Sequence, residues 1–378
     1  MSEETNETSA LSQDKPSTDT SENLVFGHKI SGGDFVGLGF INTLLGIVTL
    51  TLYRFWARTN VRKQIWRSIY MNNEPFEYTG TGGDLFKGFL IATAVITVPY
   101  LIIIFSAQMM PPLIGGIIIF AFVLFIYLII GAAIWLAFRY LASRTVWRGI
   151  RFSLKGHPKD FSLMYFGQLM LNLITIGWWS PKMEITIAKW LWGEMYYGDL
   201  PFNFDEQRAK DAKLYPLFAL GWAILIIGEI TLVSLFAGDF MAFESSMKSG
   251  NPEDIMHGLN LIGLIYLSLF GFLALILVAF MPYRAAMMRA IASCISLDNA
   301  TFRLEVTWLQ LLGLWFVNTL ILVFSFGILA PVAQARAARF IIEHLKADGQ
   351  VDFAMAEQGE AGPNQAEGLS DAFDIGII

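Results

Sequence analysis

Residues 26–78 read FGHKISGGDFVGLGFINTLLGIVTLTLYRFWARTNVRKQIWRSIYMNNEPFEY, and the order of segments in this stretch governs the reading of the whole chain. A short β-like lead ends at Asp34, and an apolar run follows from Phe35 to Trp56. A basic amphipathic segment then leads into another aromatic, β-like piece. The layout recurs further along the chain. Nothing in it spells a catalytic motif.

Composition sets the class. Hydrophobic residues make up 55% of the 378, charged residues only 15%, and the mean hydropathy is +0.52. Soluble domains carry about 25% charged residues, so this chain has too few polar side chains to cover a water-facing surface. It reads as a membrane protein. Residues 1–24 hold Glu3, Glu4, Glu7, Asp14, Asp19 and Glu22 against Lys15, the signature of a disordered polar tail rather than a cleavable signal. Residues 347–378 read as a second, acidic tail that is mostly disordered. The lone Cys294 excludes a disulfide within the chain.

Apolar runs of the length needed to cross about 30 Å of hydrocarbon lie at about 35–56, 89–108, 112–138, 161–180, 216–237, 259–281 and 308–330. Helices are expected, because a backbone in lipid must satisfy its own hydrogen bonds. The second and third runs join through MMPP at 109–112, a turn imposed by prolines that cannot continue a helix. Loop 238–258 carries Asp239, Glu244, Glu253 and Asp254 against Lys248, so both connections are expected outside. The opposite loops are basic and belong inside: Arg58, Arg62, Lys63, Arg67 and Lys87 in one, Arg139 to Lys159 in the next, Arg284, Arg289 and Arg303 in the last. The fourth run breaks this alternation. The loop after it holds Lys182, Lys189, Arg208, Lys210 and Lys213, so both of its ends read as cytoplasmic.

An internal repeat makes this more than a local oddity. Phe26, Phe76 and Phe152 precede Asp34, Asp84 and Asp160 by eight residues each. Asn42, Gln168 and Asn318 stand thirteen residues before Phe55, Pro181 and Pro331, with Thr51, Gly177 and Gly327 at the ninth position of that offset. Three units result, at about 26–78, 152–204 and 302–353. Units that cross the membrane would alternate in orientation, whereas units that dip in and return would share one. The basic flanks of the fourth run favour dipping; full spans and packing on the cytoplasmic surface stay open. The leads FGHKISG, FEYTGTG, FSLKGHP and FRLEV read as short strands able to pair into a cytoplasmic sheet.

Asn42, Thr49, Leu50, Tyr53, Trp56, Ala57 and Arg58, followed by Phe76, Tyr78 and Gly80, resemble the N-x(6)-TLG-x-Y-x-PWA…FxYxG pattern of the YjgN-like bacterial inner-membrane family. The resemblance covers roughly residues 25–350. It implies location and fold without chemistry, since that family is described as of unknown function. The chain departs from the pattern at Thr51, where glycine is expected, and at Phe55, where proline is expected; Gly177 with Pro181 and Gly327 with Pro331 keep both.

Glu229 is the sharpest chemical candidate, a single carboxyl within WAILIIGEITLVSLF. Such a group must be protonated, paired or wet, as in ion pathways, or else hydrogen-bonded as a neutral acid to a neighbouring helix. Asn42, Gln168, Asn172 and Asn318 form a second set; buried amides can line a pathway, and they also hold helices together. Asp34, Asp84 and Asp160 read as helix caps rather than metal ligands. No CxxC, HExxH, GxSxG or phosphate loop is present, and the tryptophans interleaved with Arg and Lys suit an interfacial belt better than nucleic acid.

The expected protein is an all-α polytopic inner-membrane bundle with both termini cytoplasmic. It would contain three internal repeats with broken or re-entrant helices, plus short cytoplasmic β-strands. Movement of a small solute or ion is the expected function, with Glu229 and the embedded amides on the route; a non-catalytic membrane-organising role that recruits partners or lipids is the alternative. Expected partners are membrane lipids, including anionic headgroups at the basic loops, with no nucleic acid, no cofactor and no metal. The sequence leaves the oligomeric state open.

Overall fold

The computed structural model describes residues 21–249, 252–353 and 356. From the amino end the elements are β1 (Ser21–Asn23), β2 (Phe26–His28), α1 (Gly32–Val48), α2 (Arg54–Ser68), β3 (Ile69–Met71), β4 (Glu74–Pro75), β5 (Glu77–Tyr78), α3 (Gly82–Gln108) and α4 (Pro112–Arg144). There follow β6 (Thr145–Trp147), β7 (Ile150–Leu154), α5 (Pro158–Ile174), α6 (Ser180–Gly193), β8 (Met195–Tyr197), β9 (Leu200–Phe204) and a 3-10 helix at Glu206–Ala212. The chain continues with α7 (Leu214–Ser249), α8 (Pro252–Ala279), α9 (Met281–Cys294), β10 (Ile295–Leu297), β11 (Ala300–Leu304), α10 (Trp308–Phe324), α11 (Ala330–His344), β12 (Leu345–Asp348) and β13 (Gln350–Asp352). Among the described residues, four stretches have the length and apolar content to cross a bilayer: α3, α4, Leu214–Thr231 and Tyr266–Cys294. The protein is largely helical and multi-spanning, with β-sheet besides.

The apolar runs at 35–56, 161–180 and 308–330 are each interrupted. At the first break Leu50 and Thr51 adopt φ of 50° and 71°, and the Thr51 N–H closes the helix end on the Gly46 carbonyl at 2.7 Å. Ile176 and Gly177 do the same at 52° and 84°, closing on Asn172 at 2.7 Å, and Phe326 and Gly327 at 50° and 81°, closing on Leu322 at 2.8 Å. This left-handed closure satisfies carbonyls at a helix end. A hydroxyl then starts the next helix: Thr49 Oγ1 accepts the Tyr53 N–H at 3.0 Å, Thr175 Oγ1 the Trp179 N–H at 3.0 Å, and Ser325 Oγ the Leu329 N–H at 3.1 Å. The N–H groups through each break are therefore hydrogen-bonded.

Strand pairing is antiparallel throughout. β5 to β12 form an eight-stranded meander, β2, β3 and β4 a three-stranded sheet, and β1 pairs with β13. The chain itself joins these pieces, since β1 leads into β2, β4 into β5 and β12 into β13. Following bonds and chain together, ten strand positions return to their start and leave no free edge. The interior of this circuit is apolar and aromatic, built on Leu24, Met71, Trp147, Tyr197, Leu297 and Val351. Two sequence boundaries move accordingly. Ser21–Asn23 and Leu345–Asp352 are paired strands, so the ordered region extends into both segments read as tails; residues 1–20 and those beyond 356 lie outside the described residues.

Candidate functional site

The residues singled out in the sequence do not converge on one place. Gln168 Oε1 accepts the Trp179 indole N–H at 2.7 Å, and Asn172 Oδ1 accepts the Ser180 hydroxyl at 3.0 Å. Asn318 donates Nδ2 to the Ala333 carbonyl at 3.2 Å and accepts Arg336 Nε at 3.1 Å. These bonds tie a first arm, α5 or α10, to the break or to the returning arm, α6 or α11. Asn42, at the matching place on α1, has a buried Oδ1 with no hydrogen-bond partner. One turn before it, a Cβ at Gly39 would stand 2.5 Å from the Ile328 carbonyl oxygen, which shows how closely α1 presses on the α10–α11 break. Glu229 stands exposed on α7, on a different element from all four amides and bonded to none of them.

Asp34, Asp84 and Asp160 lie in the first turns of α1, α3 and α5, each two residues inside the start of the helix, so they are not the capping residues themselves. Ser31, Thr81 and His157 occupy those positions, and Thr81 Oγ1 accepts the Asp84 N–H at 3.2 Å. The aspartates favour the helix starts through the dipole instead. Asp84 also lies 3.5 Å from Arg144, whose guanidinium covers the Tyr140 ring at 5.1 Å. Next to it the buried Arg62 reaches the Tyr78 hydroxyl at 3.3 Å, and a Cβ at Gly80 would meet both the Tyr78 and Tyr140 hydroxyls within 2.7 Å. The sequence places Arg62 and Arg144 in basic loops and in helices suited to anionic headgroups, not in a packed site. The FxYxG spacing around Tyr78 was the signal of a packed site.

The strand interior holds a second gathering. Phe26 lies 6.3 Å from Phe302, Phe302 6.3 Å from Phe202, Phe202 6.3 Å from Phe152, and Phe152 6.4 Å from Phe76. Beside this chain of rings, Trp147 meets Tyr197 at 5.6 Å, and Phe353 rests on Trp147 at 5.0 Å and on Tyr197 at 5.7 Å. Burial pushes the Tyr197 phenol up, so it stays neutral and donates to the Trp147 carbonyl at 3.1 Å. The seam that brings Phe353 there is held by Arg148, which bonds Glu22 at 2.8 Å and Glu74 at 3.2 Å. The Arg148 and Asn72 bonds hold the Glu22 carboxyl below the usual range.

Residues 23–372 match the family described as "Bacterial protein of unknown function (DUF898)". The chain belongs to that family. Three relatives of the DUF898 chain are each named "Inner membrane protein YjgN". The one from Salmonella typhimurium is 40% identical over 68 residues, 18% of this chain and 17% of the relative. Those from Escherichia coli K12 and O157:H7 are 30% and 34% identical over 137 residues, 36% of this chain and 32% of each relative. The DUF898 chain thus spans a third or less of the length of the relatives it matches. No solved structure matches it. With four candidate spans, the relatives place this DUF898 chain in the inner membrane as a multi-pass protein.

Proposed function

We propose that this DUF898 chain moves a small solute or ion across the inner membrane, and that α1–α2, α5–α6 and α10–α11 are three copies of one hairpin that dips into the bilayer and returns. The hairpin tips carry this reading. Leu50, Ile176 and Phe326, the residues at the three breaks, are 84%, 84% and 93% exposed, an arrangement that suits lipid and not water. Each first arm has 17 residues, about 25 Å of helix, which falls short of a bilayer core about 30 Å thick. The returning arms carry charge, among it Arg54, Arg58, Lys63 and Arg67 in α2. Strand pairing argues the same way: β2 pairs with β3, β7 with β8 and β11 with β12, so each hairpin ends on the side where it began. Basic loops support a cytoplasmic position for that side. Irregular backbone at membrane depth is a device of transport proteins, where it is buried in protein or lines a cavity.

Flux of chloride and potassium from vesicles containing the purified chain tests the proposal. A rate no faster than that of protein-free vesicles, from protein shown to be folded, overturns it. A membrane-organising role is the second reading, favoured because Gln168, Asn172 and Asn318 spend their bonds inside their own hairpins. Under it the chain binds vesicles rich in anionic lipid through its basic helices and passes no solute.

A further inference from the structure

The backbone contains a fivefold regularity. At the base of every helical group the residue just after a strand donates its N–H to a carbonyl where the group ends: Lys29 to Ser68 at 2.8 Å, Thr79 to Arg144 at 2.9 Å, Lys155 to Glu194 at 2.9 Å, Asp205 to Cys294 at 2.8 Å and Glu305 to His344 at 2.9 Å. The separation in sequence is the same in the first, third and fifth groups, and longer in the two that carry the long spans. Three residues before each donor stands a phenylalanine: Phe26, Phe76, Phe152, Phe202 and Phe302. These are the five rings spaced at 6.3 to 6.4 Å in the strand interior, one from every second strand position. Alternate strands filling one layer is how a closed barrel packs its interior. The strands between supply the next layer, Met71, Trp147, Tyr197 and Leu297, all buried, with Phe353 wedged against it.

The helices follow the same order. Each first helix packs between its own returning helix and that of the preceding group, α1 between α2 and α11, α3 between α2 and α4, α5 between α4 and α6, and α10 between α9 and α11. The returning helices run into barrel strands directly or, for α6, after a single residue. Over α2, 131–144 of α4, α6, α9 and α11 they carry thirteen Lys and Arg, of which Arg144, Lys182, Lys189, Arg284 and Arg339 pair with Asp84, Glu206, Glu184 and Glu343. The remaining excess of cations raises the local concentration of anions.

We propose that this chain is a fused pseudo-pentamer whose axis is the route of a small inorganic anion, with the five phenylalanines as its gate and Phe353 as the plug beneath. The proposal rests on the transport reading and moves the pathway from Glu229 and the amides to the barrel axis. Apolar constrictions close by excluding water, so replacing phenyl groups by hydroxyls wets the ring, and removing the Phe353 ring clears the floor.

Chloride efflux from vesicles holding the full chain, with valinomycin to balance charge, tests this in the parent and in Phe353→Ala, Phe152→Ser and Phe76→Ser/Phe152→Ser. Each variant is expected to raise chloride efflux by about tenfold or more, the double variant most, while potassium efflux without valinomycin stays low. Should a serine variant fail to fold, Phe152→Cys in a Cys294→Ser chain replaces it; a bulky thiol reagent is then expected to lower flux and its reduction to restore it. Parent flux that none of these changes moves overturns the gate and leaves the transport reading standing. Absence of flux in every folded protein overturns both. A potassium leak equal to the chloride leak overturns the anion assignment.

Discussion

Thr51 is the residue where sequence and backbone conflict most openly. A β-branched side chain at φ 71° is held where glycine stands in the other two breaks, at Gly177 and Gly327. Left-handed backbone costs a non-glycine residue about 1–2 kcal/mol, so Thr51→Gly is expected to raise stability by about that amount. Thermal unfolding in detergent checks it, with Gly327→Thr shifting the midpoint the other way. Phe55, the second departure from the family pattern, has a positive reason: its ring packs at 5.5 Å from Phe86 and 5.1 Å from Phe89, joining α2 to α3. Phe55→Pro would restore the pattern and is expected to lower the midpoint, because a buried aromatic contact is lost. Asn318→Ala removes two bonds between α10 and α11 and is expected to cost about 1 kcal/mol while leaving anion flux unchanged.

Among the elements, the β1–β13 seam carries a pH-dependent contact. The folded Glu22 carboxyl sits below its usual range because of Arg148 and Asn72. Its contribution is therefore complete above the unfolded carboxylate pKa of about 4 and is lost as pH falls through the lower folded value. Opening of the seam at acid pH, read from Trp147 fluorescence or hydrogen exchange at Val351, is expected in the parent. It should be largely pH-independent in Glu22→Gln, where the seam is weaker at neutral pH already.

The elements also show what the sequence could reveal. The three breaks were legible, because Gly177, Gly327 and the amide offsets recur at fixed spacing. The basic stretch after Trp56 was legible as an amphipathic helix, but not as the returning arm of a hairpin, since its charge does not show what it packs against. The fivefold order stayed hidden behind strands only two to five residues long and two groups lengthened by spans. Phe202 and Phe302 lay in the chain at the right distances, but only pairing between distant strands brings them beside Phe26 and Phe152.

For the whole molecule, the closed strand circuit constrains topology more tightly than charge does. Pairing of β8 with β7 and of β9 with β10 requires the chain before α5, after α6 and after α9 to lie on one side of the membrane. An odd number of crossings between paired strands would tear the circuit. Single cysteines at Ser21, Lys155, Lys213, Ser246 and Gln350 in a Cys294→Ser chain test this with an impermeant thiol reagent on intact cells. Labelling is expected at position 246 alone, in the last turn of α7, and at the others only after the cells are opened. If the hairpins dip into the bilayer as proposed, a cysteine at the exposed Ile176 should resist the reagent from both sides. Labelling of position 213 from outside would mean that α5–α6 crosses the membrane, which conflicts with the pairing of β7 with β8; the pseudo-pentamer and its axial route would then fall together.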